Sequence, residues 1–525
     1  MSATQDPLST VQPLLGITRG ARVGSAPAPL AHVAELLRHR RFVLAELPAG
    51  MAGVADLRAL SAARAADELE IVVQRNRDAT GRELLWAAVG GLGGGRTLTS
   101  QTTNERGLIA AIDLAPTILR HLGLPIPSAM RGHPIRLDGR LRSASLRSLM
   151  ARLHVIGGRR LKALAFLLSA WAVLLLLSTP SPRARAWALR TGALSVLWAP
   201  VAVLIPAALQ PSAAVEYLTI VCACLTLGAL TDLLLAWPRA PLLPAAVAVV
   251  ALTADALAGT QLLMRSLLGP NPILGARFYG IGNELKSGLA VLVLAAVAAA
   301  LYPSVHGRRA ASAMAGAGVL LAVVEGSARI GAGVGGVILV SAGFAVASAM
   351  LLPGALTRRR ALVVLIAPVL GLVALAALDL ATAHGSGHYT GTILHARSAG
   401  EVRDVIVRRY SAAWGELNNH AMPFATALAL LAAALGLGRR ERLLAPVAGD
   451  PAWRAALCGG LTAGVVGALA EDSGPVLLVV AVFALICALA YLWGRPVAQT
   501  STPRSLGTSR ATRSRARTPP AAPAR

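Results

Sequence analysis

From residue 161 onward the chain returns repeatedly to apolar runs of the length a helix needs to cross a bilayer. A hydrocarbon core of ~30 Å is spanned by ~20 apolar residues. Such runs fall near 163–178, 188–209, 215–236, 241–264, 287–303, 310–324, 330–352, 361–380, 421–437, 455–470 and 474–493. The expected fold class is therefore an α-helical polytopic membrane protein of about 11 spans with a small N-terminal α/β domain. Composition agrees, because 55% of the 525 residues are hydrophobic and only 14% are charged, with a mean hydropathy of +0.62.

Lys and Arg number 50 against 25 Asp and Glu, a balance that in a soluble chain raises the question of nucleic-acid binding. Here the excess sits in short loops such as Arg308-Arg309, Arg358-Arg359-Arg360 and Arg439-Arg440, and in residues 495–525. That is how membrane topology is written, so the expected partner is the lipid bilayer and no nucleic acid. The 495–525 stretch, rich in Ser, Thr, Pro, Ala and Arg, is expected to be a disordered cytoplasmic tail. Cys222, Cys224, Cys458 and Cys487 all lie in apolar runs and read as packing residues. The opening MSATQDPLSTVQPLL has no basic segment followed by an apolar core, so no secretory signal is visible.

Residues 1–160 form the soluble unit and 161–494 the multi-span unit. AHVAELLRHR reads as a helix running into the strand RFVLAELP, and DLRALSAARAADELEIVVQ repeats the pattern, which suggests an α/β layer. The glycine cluster VGGLGGGR lacks a following helix start with a dinucleotide fingerprint and reads as a loop. In LTSQTTNERGLIAAIDLAPTILRHLGLPIPSAMRGHPI, residues 98–135, Asp113 is expected to cap a helix with the apolar stripe Leu114, Ile118, Leu119 and Leu122. Gly123 stops that helix and Pro125 and Pro127 follow.

The same stretch resembles the closing segment of the alkaline phosphatase-like superfamily, which includes sulfatases and cofactor-independent phosphoglycerate mutases. The resemblance implies a hydroxyl nucleophile beside two metals held by Asp and His clusters. This sequence departs from that pattern, since it has no Asp-His-Gly phrase and carries Ser100-Gln101-Thr102-Thr103 where a metal-binding His is usual. Two hard metals need several carboxylate and imidazole ligands. The expectation is a partial, degenerate domain with no metal and no cofactor.

From the fifth run onward, basic loops at 306–309, 357–360 and 438–442 alternate with polar, glycine-rich ones. The basic loops belong inside, so the others face outward. The outward phrases are GARFYGIGNELKSG (275–288), VEGSARIGAGVGG (324–336), DLATAHGSGHYTGT (379–392) and AEDSGP (470–475). Ionisable groups at membrane depth are costly and mark functional cavities. The expected site therefore gathers Glu284, Asp472 and His388 as catalytic groups with Arg277, Tyr279 and Asn283 as substrate-binding groups.

Other features of the membrane half have plainer readings. Gly331 to Gly336 matches GxGxxG but has no preceding strand, so it points to close helix packing through Gly331 and Gly335. His384, His388 and His395 are not aligned by any helix, and no metal is expected there. Asp255, deep in a run, calls for a partner such as Arg265, whereas Glu216, Asp232 and Asp379 lie nearer run ends. RFYGIGNE, GAGVGG and EDSG resemble phrases of bacterial membrane proteins in which a phosphatase-like domain precedes a multi-span region.

The leading functional expectation is work on a lipid-linked or phosphorylated glycan of the cell envelope, at the outer face of the cell membrane. A transporter or flippase is the alternative raised by glycine-interrupted helix starts and Asp255. A noncatalytic envelope scaffold is the third, and the sequence assigns no reaction. Counting eleven spans back from a cytoplasmic C-terminus places the N-terminal domain outside. Arg159, Arg160 and Lys162 before the first span stand against that, and a truncated start or a miscounted span is the expected reconciliation.

Overall fold

The computed structural model describes residues 22–23, 29–75, 84–127, 130, 132–270, 272–274, 278–327, 330–331, 333–354, 357–382, 407, 410–411, 413–418 and 421–496. Short strands occur only in the N-terminal part, and helices dominate everything after it. Strand β1 (Arg22–Val23) pairs in parallel with β2 (Leu44–Ala45) across helix α1 (Pro29–His39). Helix α2 (Met51–Ala63) leads to β3 (Glu70–Val73), which pairs antiparallel with β4 (Ala87–Gly90). Strand β5 (Arg96–Thr99) pairs antiparallel with β6 (Arg136–Arg140), and helix α3 (Leu114–His121) lies between them in sequence. The α/β alternation is thus present, but the described strands form three two-stranded sheets and no single layer. Strands this short and only partly buried have little surface on which to recruit a third neighbour.

The glycine cluster is the loop from β4 to β5, with Gly91, Gly93 and Gly95 all at positive φ. Gly123 ends α3 in the left-handed region, φ 66°, as a C-terminal glycine does. Asp113 behaves differently from expectation. Its side chain makes no capping bond to α3. Its carboxylate instead accepts from Ala110 N at 2.9 Å, His133 N at 3.0 Å and Thr102 Oγ1 at 2.5 Å. It has turned back to tie together the loops on either side of α3, which leaves no free oxygen geometry for the first turn.

Helix α4 (Ser143–Leu177) continues without a break from the N-terminal region into the bundle, so the boundary expected at 160 falls inside it. The bundle continues through α5 (Pro182–Leu197), α6 (Ala199–Ala202), α7 (Leu204–Leu209), α8 (Ala213–Leu234), α9 (Leu242–Leu257) and α10 (Gln261–Arg265). Then come α11 (Asn283–Leu301), α12 (Gly307–Gly326), α13 (Val334–Leu351) and α14 (Arg358–Thr382). The last are α15 (Met422–Gly438), α16 (Arg440–Leu443), α17 (Pro451–Ala470) and α18 (Pro475–Trp493).

Among the described residues, 8 helices are long and apolar enough to cross a membrane, or 9 if the bent pair α5 with α6 and α7 counts as one span. That pair bends by 49° around Trp198, where Pro200 has no N–H to continue the ladder. Helices α9 and α15 are apolar but shorter. The expected total of about eleven counts these two and the bent pair.

Helix α11 is the axis of the bundle, with Leu289, Ala290, Leu294, Ala298 and Ala299 all buried. Helix α14 is peripheral and shows Leu362, Leu365, Val369 and Val373 to the surroundings, as a lipid-facing helix would. Helices α13 and α17 approach to backbone contact, because a Cβ on Gly343 would lie 2.7 Å from Gly459 O and one on Gly459 2.6 Å from Gly343 O. Small residues permit that approach, and close packing is the main cohesive force where no water is available to be expelled.

Candidate functional site

Three helices begin at one place in the bundle, each immediately after a glycine. Gly282 precedes α11, Gly333 precedes α13 and Gly474 precedes α18, and none of the three starts has a side-chain cap. Unsatisfied first-turn N–H groups and the helix dipole give each start a partial positive charge. The ends of α12 and α17 arrive at the same place and bring carboxylates, Glu325 and Glu471.

At the centre stands Lys286, one turn into α11 and fully buried. Its Nζ donates to Asn283 Oδ1 at 3.2 Å and lies 3.2 Å from Glu471 Oε1. Asn283 passes the network on, donating from Nδ2 to Asp472 Oδ1 at 2.7 Å and to Ser473 Oγ at 2.9 Å. Glu325 is also fully buried. A Cβ on Gly336 would meet Glu325 Oε2 at 2.8 Å and Lys286 Cδ at 3.0 Å, so both side chains flank one point. The glycines make this possible. A Cβ on Gly333 would lie 1.7 Å from Lys286 Nζ, and one on Gly335 2.4 Å from Glu471 Cδ.

Three of the four polar phrases are thereby joined. Asn283 and Asp472 meet directly, as expected. Tyr279 is buried in the segment just before α11. Glu284 does not join the centre and faces α4, where Arg160 Nη1 lies 3.5 Å from its Oε1. The helical turn of about 100° per residue separates it from its neighbour Asn283. Arg277 and His388 lie outside the described residues, as do His384, His395 and the side chain of Asp379. Gly335 does pack closely, against the end of α17, whereas Gly331 lies in the turn before α13 against the backbone of Glu325.

Sequence reading passed over Lys286 and Glu325, although both stand in quoted phrases. A Lys three residues after an Asn, followed by an unbroken apolar run, was the available signal. The position places it one turn along on the same face, inside the membrane helix.

Beside this centre, α4 is fastened by arginines. Arg152 makes a bidentate pair with the buried Glu216 of α8, at 2.5 and 2.9 Å, and Arg159 Nη1 reaches the same carboxylate at 2.6 Å. Arg152 Nε also donates to Arg265 O at 2.8 Å, and Arg160 Nη2 to Gly269 O at 2.6 Å. Asp255 is held otherwise than expected. Its carboxylate accepts from Leu262 N at 2.9 Å and Leu263 N at 2.7 Å, capping α10, with Arg265 nearby as a charge. Asp232 is engaged by Arg190 in a bidentate pair at 2.5 and 2.9 Å.

In the N-terminal region, Thr102, Asp113 and His133 form one polar knot, His133 Nδ1 lying 3.2 Å from Thr102 Oγ1. Among the described residues no group of three or more His, Cys, Asp or Glu side chains is arranged to hold a metal.

Fold and site define the class, a multi-pass helical membrane protein with a buried lysine and carboxylate centre where three helices start. Comparison with family models, with curated proteins and with solved structures finds no match for the chain.

Proposed function

We propose that the chain acts on the anionic group of a lipid-linked or phosphorylated envelope precursor at the end of the bundle that carries the N-terminal region. The observation that carries this reading is the convergence of three uncapped helix starts on buried Lys286. Such starts favour phosphate, and a buried cation strengthens the preference. In the resting arrangement Glu471, Asp472 and Glu325 occupy the positive field, so an incoming anion would exchange with these carboxylates. Asp472 or Glu471, once displaced from Asn283 or Lys286, is then placed to take a proton.

The reading puts the site at the outer face. The helices alternate in direction if α5 to α7 count as one passage and α9 and α15 as full ones, which gives eleven. Trp493 at the end of α18 donates to Leu443 O beyond α15 at 3.1 Å, at the opposite end from the centre. An odd number of passages separates the N-terminal region from the C-terminus. Arg159 and Arg160 stop arguing against an outer N-terminal region once their charges are paired with Glu216 and Glu284. The N-terminal region, by its resemblance a degenerate phosphatase-like unit, serves as a cover on this reading, without hydrolysis of its own.

The test is complementation of a deletion strain. Lys286→Gln and Asp472→Asn should fail to restore envelope composition while accumulating to the normal protein level. Glu284→Gln should retain partial function, since its partner is Arg160. Restoration by both of the first two variants would exclude the centre as the working site.

A further inference from the structure

Glu105 is the most buried acidic side chain of the N-terminal region after Asp113, at 6% exposure, and it is used by nothing described so far. It sits on a stiff turn. Asn104 N donates to Ser100 O at 2.9 Å, Gly107 N to Leu98 O at 2.8 Å, and Thr99 Oγ1 to Glu105 O at 2.8 Å. Gly107, at φ 83°, brings the turn against α4, where a Cβ would lie 2.3 Å from Leu146 Cδ2. The turn thus presents Glu105 outward, away from its own sheet and onto the bundle.

What it meets is the 258–282 connection between α9 and α11. The carboxyl bonds the Thr260 hydroxyl, with the carboxylate of Asp255 and the guanidinium of Arg265 as its charged neighbours. Those are the titratable and charged groups facing it from α9 and α10. On its own side Arg106 is turned to Asp138 at 2.5 Å. Glu105 Oε1 has no hydrogen-bond partner, nor has Arg265 Nε, although both are buried. A carboxylate without a partner, set beside a second carboxylate already committed to capping α10, is an unfavourable charge. A carboxylic acid is not.

We propose that the N-terminal region is a proton-linked clamp on the 258–282 connection: with Glu105 protonated it stays docked, and ionisation of Glu105 releases it. The connection ends at Gly282 and so holds the start of α11 and the Lys286 centre closed. Control of access rests on the proposed function of that centre, whereas the docking equilibrium does not.

The sign follows from burial. Desolvation pushes the Glu105 carboxyl up to about 8, and Asp255 raises it further while Thr260 and Arg265 oppose. In the released state the group returns toward the ordinary carboxylate value of about 4.3. Docking is therefore strongest below the ordinary carboxylate range and weakens by up to about tenfold per pH unit until the docked value is passed.

Hydrogen exchange of the full chain in lipid nanodiscs reads this directly, as protection factors corrected for intrinsic exchange at pH 6 and pH 9. Peptides covering 98–110 and 258–270 should lose protection together by at least about tenfold at the higher pH, while α17 and α18 stay protected. Glu105→Gln should keep both peptides protected at both pH values. Equal protection of the wild-type peptides at pH 6 and pH 9 overturns the clamp, as does a Glu105→Gln chain that loses protection as the wild type does. The wild-type comparison stands alone if the variant does not fold. Failure of Lys286→Gln to matter in complementation would leave this readout untouched.

Discussion

Lys286 is the residue on which the account turns, because a full charge at membrane depth survives only with partners. Its bonds to Asn283 and Glu471 supply them, and Gly333 and Gly336 leave it the room. Glu216 is a second such case, a fully buried carboxylate shared by Arg152 and Arg159. Removing it strands two guanidinium groups, so Glu216→Ala should cost about 3–5 kcal/mol. Thermal unfolding in detergent is the measurement, and an unchanged midpoint would contradict the pairing. Asp113 is a third, and its loss should loosen the loops at Ala110, Thr102 and His133 together.

At the scale of elements, the crossing of α13 and α17 sets how closely Glu471 and the glycine-preceded start of α13 can approach. Gly343→Leu forces the helices apart at Gly459 and should both destabilise the bundle, by roughly 1–3 kcal/mol or more, and disturb the centre two turns away. Gly316→Ala on α12, where a Cβ meets nothing, is the control and should be neutral. Comparing the two for thermal stability separates packing from mere helix propensity. Helix α4 links the scales, since one continuous rod carries Arg152, Arg159 and Arg160 from the N-terminal region to α8 and α11.

For the whole molecule, the account puts the N-terminal region and the Lys286 centre on one side and the C-terminus on the other. A reporter fused at residue 100 should be active only in its extracytoplasmic form, and activity in the cytoplasm would reverse the topology. How much of this was legible in the sequence differs by element. Apolar run length marked each described helix of the bundle, because lipid imposes a length that local sequence must obey. It could not show that Trp198-Ala199-Pro200 bends one passage, or that α9 and α15 stop short, since both depend on neighbours that stabilise a broken or truncated helix. Asn283 and Asp472 were legible as polar residues at the mouths of spans. Lys286 and Glu325 were obscured because each sits inside an apolar pattern and is explained only by what the other helices bring. The side-chain role of Asp113 was misjudged because the sequence shows a capping position but not the distant His133 that competes for it.

The most direct measurement is of phosphorylated, lipid-linked envelope precursors in extracts of the parent strain, a deletion strain, and the deletion complemented with wild type or with Lys286→Gln. The account predicts that one anionic lipid-linked species accumulates in the deletion and in the Lys286→Gln strain, and returns to the parental level only with the wild-type chain. Identical extracts from parent and deletion, or full restoration by Lys286→Gln at normal protein level, would contradict it.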